Sequence, residues 1–478
     1  MYLDSGHNIE IVRIYFDLFV GECLKVKNFQ FVRNIINIAG YLLTDVRLCG
    51  LNPRNYTMTT SLSLRALVFV TFAASLVSLN AGDPVQYAAG SDYSKSVLGG
   101  KEGVESMKVN RLKVDLFGSA SYIYDSNTSQ TPVAQDASIF VFAFGGNVTM
   151  GSPSRRGLYY GADYTGQVFG YDDVTSAFGR DSLEHSVGAF VGVNGGLTRV
   201  RLDGNYRRNN GNSLQFDQVN NETRRAQSDD YDFSLDVVRD LPHGSLEFGV
   251  GFSARDFDDD VNLNDGESTF ADLAWFYEPA FAPKTQLGFG LRAGSDNYLG
   301  NADQDYFTPS FRWRYALSGK TSLYSSLGYE TRSVAGPTGI DSDNFVYSGG
   351  ASWAPTSKSR FDFGYYQNVT PSYVSQGEDV ERSGVTARMS NQLPGRFVLG
   401  TQIGFENADY FNSQTTGAGT GREDDFTRFG IDLSHPLVIC ERLTGQWAIF
   451  YNYNTNNSNI LPAEFDQSIT GFRVGLSY

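Results

Sequence analysis

Residues 198–206 read T-R-V-R-L-D-G-N-Y. Successive side chains of an extended strand point to opposite faces. Val200, Leu202, Gly204 and Tyr206 therefore fall on one side, and Arg199, Arg201, Asp203 and Asn205 on the other. The same period of two returns in residues 307–317, where Phe307, Pro309, Phe311, Trp313, Tyr315 and Leu317 alternate with Thr308, Ser310, Arg312 and Arg314. It returns again in 397–405, where Leu399 and Ile403 oppose Gly400, Gln402 and Gly404, and in the last strand, where Phe472, Val474, Leu476 and Tyr478 oppose Arg473, Gly475 and Ser477.

One apolar and one polar face suit two architectures. In a soluble sandwich the apolar face packs on a second sheet. In a membrane barrel it meets lipid while the other face lines water. The connections favour the barrel. From Leu112 onward the pattern predicts about 18 strands of about ten residues, the length a tilted membrane strand needs. Short links are predicted at 151–156, 194–197, 239–244, 278–284, 318–320, 354–358, 391–395 and 435–442. Longer ones alternate with them at 125–137, 169–182, 208–229, 256–267, 296–304, 333–343, 369–379, 407–424 and 454–466. Tight turns on one rim and roomy loops on the other are what an up-and-down antiparallel barrel of even strand number produces, with both chain ends on the periplasmic side. Strands must close on themselves there, because lipid offers no partner for a free N–H or C=O. Tyr122, Tyr124, Tyr206, Trp275, Tyr277, Trp313, Tyr315, Tyr451 and Tyr453 stand near predicted strand ends, where amphipathic rings suit the two membrane interfaces.

Composition agrees. The 478 residues hold 51 Gly, 28 Tyr and 35 Phe, with 41% hydrophobic residues, which argues for many strands and turns and against a helical bundle or a disordered chain. With 38 Lys+Arg against 53 Asp+Glu the chain is acidic, so nucleic acid is not an expected partner.

Targeting is read at Met58. The sequence MTTSLSLR carries Arg65, the apolar run from Ala66 to Leu79 follows, and Ala81 precedes GDPVQ. That order is a secretory signal peptide over 58–81, too short in its apolar part to remain as a membrane span. Residues 1–57 then read as an upstream start-site artefact or a cytoplasmic extension, 82–111 as a flexible periplasmic tail able to enter the lumen, and 112–478 as the barrel. Loss of 1–81 leaves 31 Lys+Arg against 48 Asp+Glu, and Cys440 as the one cysteine, which excludes an internal disulfide and a zinc site of the usual kind.

The ending GFRVGLSY, with Phe472, Val474, Leu476 and Tyr478 on one face, resembles the terminal signal read by the outer-membrane barrel assembly machinery. The stretch GREDDFTRFGIDLSHPLVICERLTGQWAIFYNYNTNNSN resembles the bacterial family of outer-membrane β-barrel porins, and the likeness is closest over the C-terminal third. The bulky PLVIC turn with Cys440 departs from the family pattern. The resemblance implies an exported channel in the outer membrane of a Gram-negative bacterium, in contact with outer-membrane lipid and lipopolysaccharide, and compatible with a homo-oligomer.

A barrel of about 18 strands is wide enough for an aqueous lumen. The polar face then supplies candidate pore-lining residues: Arg199, Arg201, Asp203, Arg207, Arg312, Arg314, Glu330, Arg332, Arg360, Asp362, Arg388, Glu406, Arg428, Asp432 and Arg473. Arginine set against carboxylate would orient polar solutes, or the two would merely neutralise one another. Asp258, Asp260 and Asn262 are spaced as in a calcium loop, but Leu263 replaces the required glycine, so no metal or cofactor is expected. His185, His243 and His435 form no recurrent grouping with Ser or Asp on one strand face, which argues against an enzyme. The reading is a porin-like channel for passive diffusion of small hydrophilic solutes or ions. Its alternative is a non-diffusive barrel, either a polysaccharide-export conduit or a structural or adhesive surface protein acting through 208–229 and 407–424.

Overall fold

The computed structural model describes residues 107–109, 112–172, 182–210, 227–258, 265–298, 302–335, 341–373, 378–412, 421–439 and 443–478. The targeting segments, most of the predicted tail, the possible calcium loop beyond Asp258 and the interiors of the two longest loops lie outside these residues.

A short strand β1 (Met107–Val109) precedes β2 (Leu112–Asp125), β3 (Ala137–Met150), β4 (Gly157–Tyr171), β5 (Ser182–Asn194), β6 (Thr198–Asn209) and β7 (Ser228–Leu241). There follow β8 (Gly244–Phe257), β9 (Gly266–Tyr277), β10 (Thr285–Tyr298), β11 (Gln304–Ser318), β12 (Thr321–Val334) and β13 (Ser342–Thr356). The chain ends with β14 (Ser359–Pro371), β15 (Glu378–Gln392), β16 (Val398–Asn412), β17 (Glu423–Val438), β18 (Thr444–Ser458) and β19 (Phe465–Ser477). From β2 to β19 each strand pairs antiparallel with the next, and β19 pairs back onto β2, from Ile469 opposite Asp125 to Ser477 opposite Phe117. These 18 strands thus form a closed barrel, and none of them is left as an edge strand.

The seam is finished by the backbone of Tyr478, whose N–H donates to the Leu116 carbonyl at 2.8 Å while its carbonyl accepts from the Leu116 N–H at 3.0 Å. Below that point β1 pairs with β2, Met107 opposite Val114 and Val109 opposite Leu112. The predicted tail therefore contributes a strand of its own, which continues the line of β19 along β2.

Long and short connections alternate as the sequence predicts, but the barrel strands run to 12–16 residues. They take in residues read as loop, among them Asp229, Asp256, Asp296, Gln304 and Asp379. The tightest turns carry glycine where geometry requires it. Gly244, at φ +145°, starts β8 so close to the Phe276 carbonyl that a side chain has no room. Gly196, at φ +94°, closes the turn before β6, where its N–H donates to Asn194 Oδ1 at 2.8 Å.

Large apolar side chains cover the outside. Phe142, Phe289, Phe311, Leu327, Phe363, Phe405, Ile449 and Phe472 are all exposed. Such a continuous apolar belt has no place in water and matches the hydrocarbon band of a bilayer. Tyr122, Tyr124 and Tyr451 mark its long-loop rim, and Trp275, Tyr277 and Trp353 its short-turn rim. Among the described residues no helix is long and apolar enough to cross a membrane.

The interior departs from the predicted polar lining on one side. Ile123, Ile139, Val141, Phe169, Phe426, Phe450, Phe465 and Ile469 of β2–β4 and β17–β19 point inward and bury one another near the long-loop rim. Here both faces of the strand are apolar, as in ASIFVFAF of β3. The loop after β2 packs onto this side: Asn127 is buried and its amide donates to the Thr131 and Asp466 carbonyls.

Candidate functional site

Register assigns each predicted site residue to a face. Arg473 lies opposite Ala448 and Ser121, while its neighbour Phe472 points out to the apolar belt. The same test places Arg199, Arg201, Asp203 and Arg207 on the inner face of β6, and Arg312 and Arg314 on that of β11. It places Glu330 and Arg332 inward on β12, Arg360 and Asp362 on β14, Arg388 on β15, Glu406 on β16, and Arg428 and Asp432 on β17.

What sequence could not supply is the pairing. Arg199 takes Asp240 in a two-pronged contact at 2.7 and 2.8 Å, and Arg201 takes Asp203 on its own strand at 2.6 Å. Arg312 binds Asp272, two strands away, through both guanidinium Nη atoms. Arg314 binds Glu247 at 2.7 and 3.0 Å, and Arg360 binds Asp362 at 2.7 Å. Arg207 shares Asp230 with Arg255, at 2.8 and 2.6 Å. Glu406 accepts the Tyr366 hydroxyl at 2.5 Å. Asp230, Arg255, Asp272, Glu247, Asp296 and Arg382 join the interior although none was singled out from sequence. Their ordinary alternating pattern was the available signal, and Asp296 alone among them sits at a strand end that read as loop.

A second feature fixes the arginines. Inward-facing glycines stand opposite inward-facing aromatics, and each ring lies over its glycine, a known way of covering glycine in a sheet. Gly288 faces Phe276, and the Arg314 guanidinium sits 3.9 Å from that ring's centre. Gly161 faces Phe190 beneath Arg201, with the guanidinium 4.7 Å from the ring. Gly251 faces Phe270, with Arg292 at 4.0 Å, and Gly471 faces Phe450, with Arg473 at 5.5 Å. Stacking worth about 0.5–2 kcal/mol per pair holds these guanidinium planes in place instead of leaving them to sweep the lumen.

The histidines are scattered. His185 lies on the outer face beside Tyr206, with ring centres 5.6 Å apart, and His243 sits in the turn before β8. His435 packs between Phe397 and Trp447 at the short-turn rim, with Nε2 3.0 Å from the Gly395 carbonyl. Among the described residues no group of His, Cys, Asp and Glu is placed to hold a metal. Asp258 of the possible calcium loop accepts from Arg208 at 2.7 Å.

Apolar outside, charged and stacked inside, closed all round: these features define a membrane β-barrel with an ion-paired interior. No family model matches the chain, and no curated protein matches it. The likeness to porins read from the C-terminus is met again among solved structures. The outer membrane protein OpdK of Pseudomonas aeruginosa is 14% identical, with 77% of this chain and 99% of that chain covered and a TM-score of 0.40. A BenF-like porin from Pseudomonas fluorescens Pf-5 is 13% identical over 77% of this chain and 100% of that chain, with a TM-score of 0.42. The siderophore receptor PirA of Pseudomonas aeruginosa is 10% identical over 78% of this chain and 81% of that chain, with a TM-score of 0.39. Overlap at this level assigns neither family nor substrate, and the architecture rests on the strand pairing itself.

Proposed function

We propose that the protein is an outer-membrane channel for passive diffusion of small hydrophilic solutes or ions. One observation carries the reading: a closed ring of 18 strands whose apolar belt faces outward while arginines and carboxylates face inward. Charge inside a membrane is costly, and it is retained where it borders water or a permeation path. Export through the signal at 58–81, insertion by the barrel assembly machinery on the Phe472–Tyr478 face, and contact with lipopolysaccharide belong to the same reading.

The test is single-channel recording of the full chain, purified from membranes and placed in a planar bilayer. Stepwise, ohmic currents with a salt-dependent ion preference are expected. A folded, inserted and silent barrel would sink the channel reading. It would favour the surface-scaffold alternative, to which the packed apolar side chains inside β2–β4 and β17–β19 lend support.

A further inference from the structure

Ion pairs between neighbouring strands brace the wall and say little about the passage. Contacts between strands far apart in the ring say more. Three strands separate β11 from β15, yet Gln304 Nε2 donates to Asp379 Oδ1 at 2.8 Å. At a spacing of about 4.8 Å per strand the two lie about 19 Å apart along the wall, well beyond the reach of those side chains if the wall were round. The wall is therefore drawn inward at this level.

Arg332 of β12 is the tie. Nη1 donates to Asp296 Oδ2 of β10 at 2.6 Å and to Gln304 Oε1 at 2.9 Å. Nη2 donates to Glu330 at 2.9 Å and to the Val369 carbonyl of β14 at 3.1 Å. A second tie leaves β14 directly. Tyr373 reaches Tyr298 at the end of β10, with rings 4.7 Å apart and hydroxyls 3.1 Å apart. Its ring also meets Phe257 edge-on at 5.6 Å and lies under the Arg255 guanidinium at 5.6 Å. These partners sit on the inner faces of β8, β10 and β11, so both ties pass through the interior near the long-loop rim.

We propose that this cross-lumen constriction, pinned by Arg332 and Tyr373, is the limiting aperture of the channel and sets its size limit and ion preference. The inference rests on the channel reading above. Asp230, Asp296, Glu330 and Asp379 stand there with Arg207, Arg255 and Arg332, so carboxylates and guanidinium groups line the aperture together and each can bias the ions that pass.

The experiment uses the full chain in membranes, with heat-dependent migration on a denaturing gel as the check that each variant is folded. The double variant Gln304→Cys with Asp379→Cys is expected to be bridged in the folded barrel by a bifunctional thiol reagent about as long as the lost Gln–Asp contact, too short to span the roughly 19 Å of an undrawn wall, and to conduct no more than wild type. Tyr373→Ala and Arg332→Gln are each expected to conduct more. In a KCl gradient Arg332→Gln is also expected to shift the zero-current potential toward cation preference, because Asp296 and Glu330 then lose a shared cation. Folded cysteine pairs that do not cross-link, or variants that keep wild-type conductance and selectivity, overturn the constriction while leaving the channel standing. A silent wild type overturns both.

Discussion

At the scale of single residues, the interior is held by contacts that tolerate little change. Phe276 is fully buried between Gly288 and the Arg314 guanidinium. A Cβ at Gly288 would stand 2.6 Å from that ring, so Gly288→Val must displace the ring and the arginine together. The expected loss is about 1–3 kcal/mol, the usual cost of overpacking. Gly319 lies in a tight turn with open space around it, and Gly319→Val is expected to change stability far less. Unfolding in urea, followed by the loss of the compact gel form, separates the two. Asp230 offers a sharper case, because it is buried and holds both Arg207 and Arg255. Asp230→Ala strands two guanidinium groups and is expected to cost about 3–5 kcal/mol, as when one partner of a buried pair is removed.

At the scale of the strand, the two faces obey opposite rules one residue apart. Phe472 points to lipid and Arg473 to the interior. Phe472→Arg is expected to cost about 1–3 kcal/mol, between the midplane and interface values for a cation on the lipid face, and to lower the yield of inserted protein. Arg473→Gln is expected to leave insertion intact; fractionation of membranes measures both. The same alternation explains what the sequence revealed. Residues 198–206 and 307–317 disclose their faces without any knowledge of their partners, and the order of long and short links discloses the closed ring. Strand ends were harder to read. Asp229 and Asp256 begin or end strands yet look like loop, because above the membrane the outer face no longer needs to be apolar. The apolar inner face of β3 hid for the opposite reason: with both faces apolar, nothing in the pattern says which side is the interior. Pairings such as Arg332 with Asp296, or Tyr373 with Tyr298, depend on register and on the indrawn wall, neither of which alternation encodes.

At the scale of the whole barrel, charge is distributed unevenly around the ring. Away from the strand ends, Asp163, Asp203, Asp232, Asp236, Glu247 and Asp272 face inward through β4–β9, against fewer arginines there. Across β15–β19 the inward charges are Arg382, Arg388, Arg428 and Arg473 against Glu406 and Asp432. Such an arrangement sets a field across the passage, and its sign can be read out. A unit charge 10 Å from a permeating ion in water contributes about 0.4 kcal/mol, or about a twofold change in local ion occupancy. Asp163→Asn with Glu247→Gln removes two negative charges, so the zero-current potential in a KCl gradient is expected to move toward anion preference, by up to about fourfold for each ion and about sixteenfold in permeability ratio. Arg388→Gln with Arg473→Gln is expected to move it the opposite way. Both shifts should fade between low salt and 1 M salt, where the Debye length falls to about 3 Å. Charges that only neutralise their neighbours would give no shift in either direction at any salt, so recordings of these two double variants at both salt concentrations decide whether the inner wall acts on solutes or merely braces the barrel.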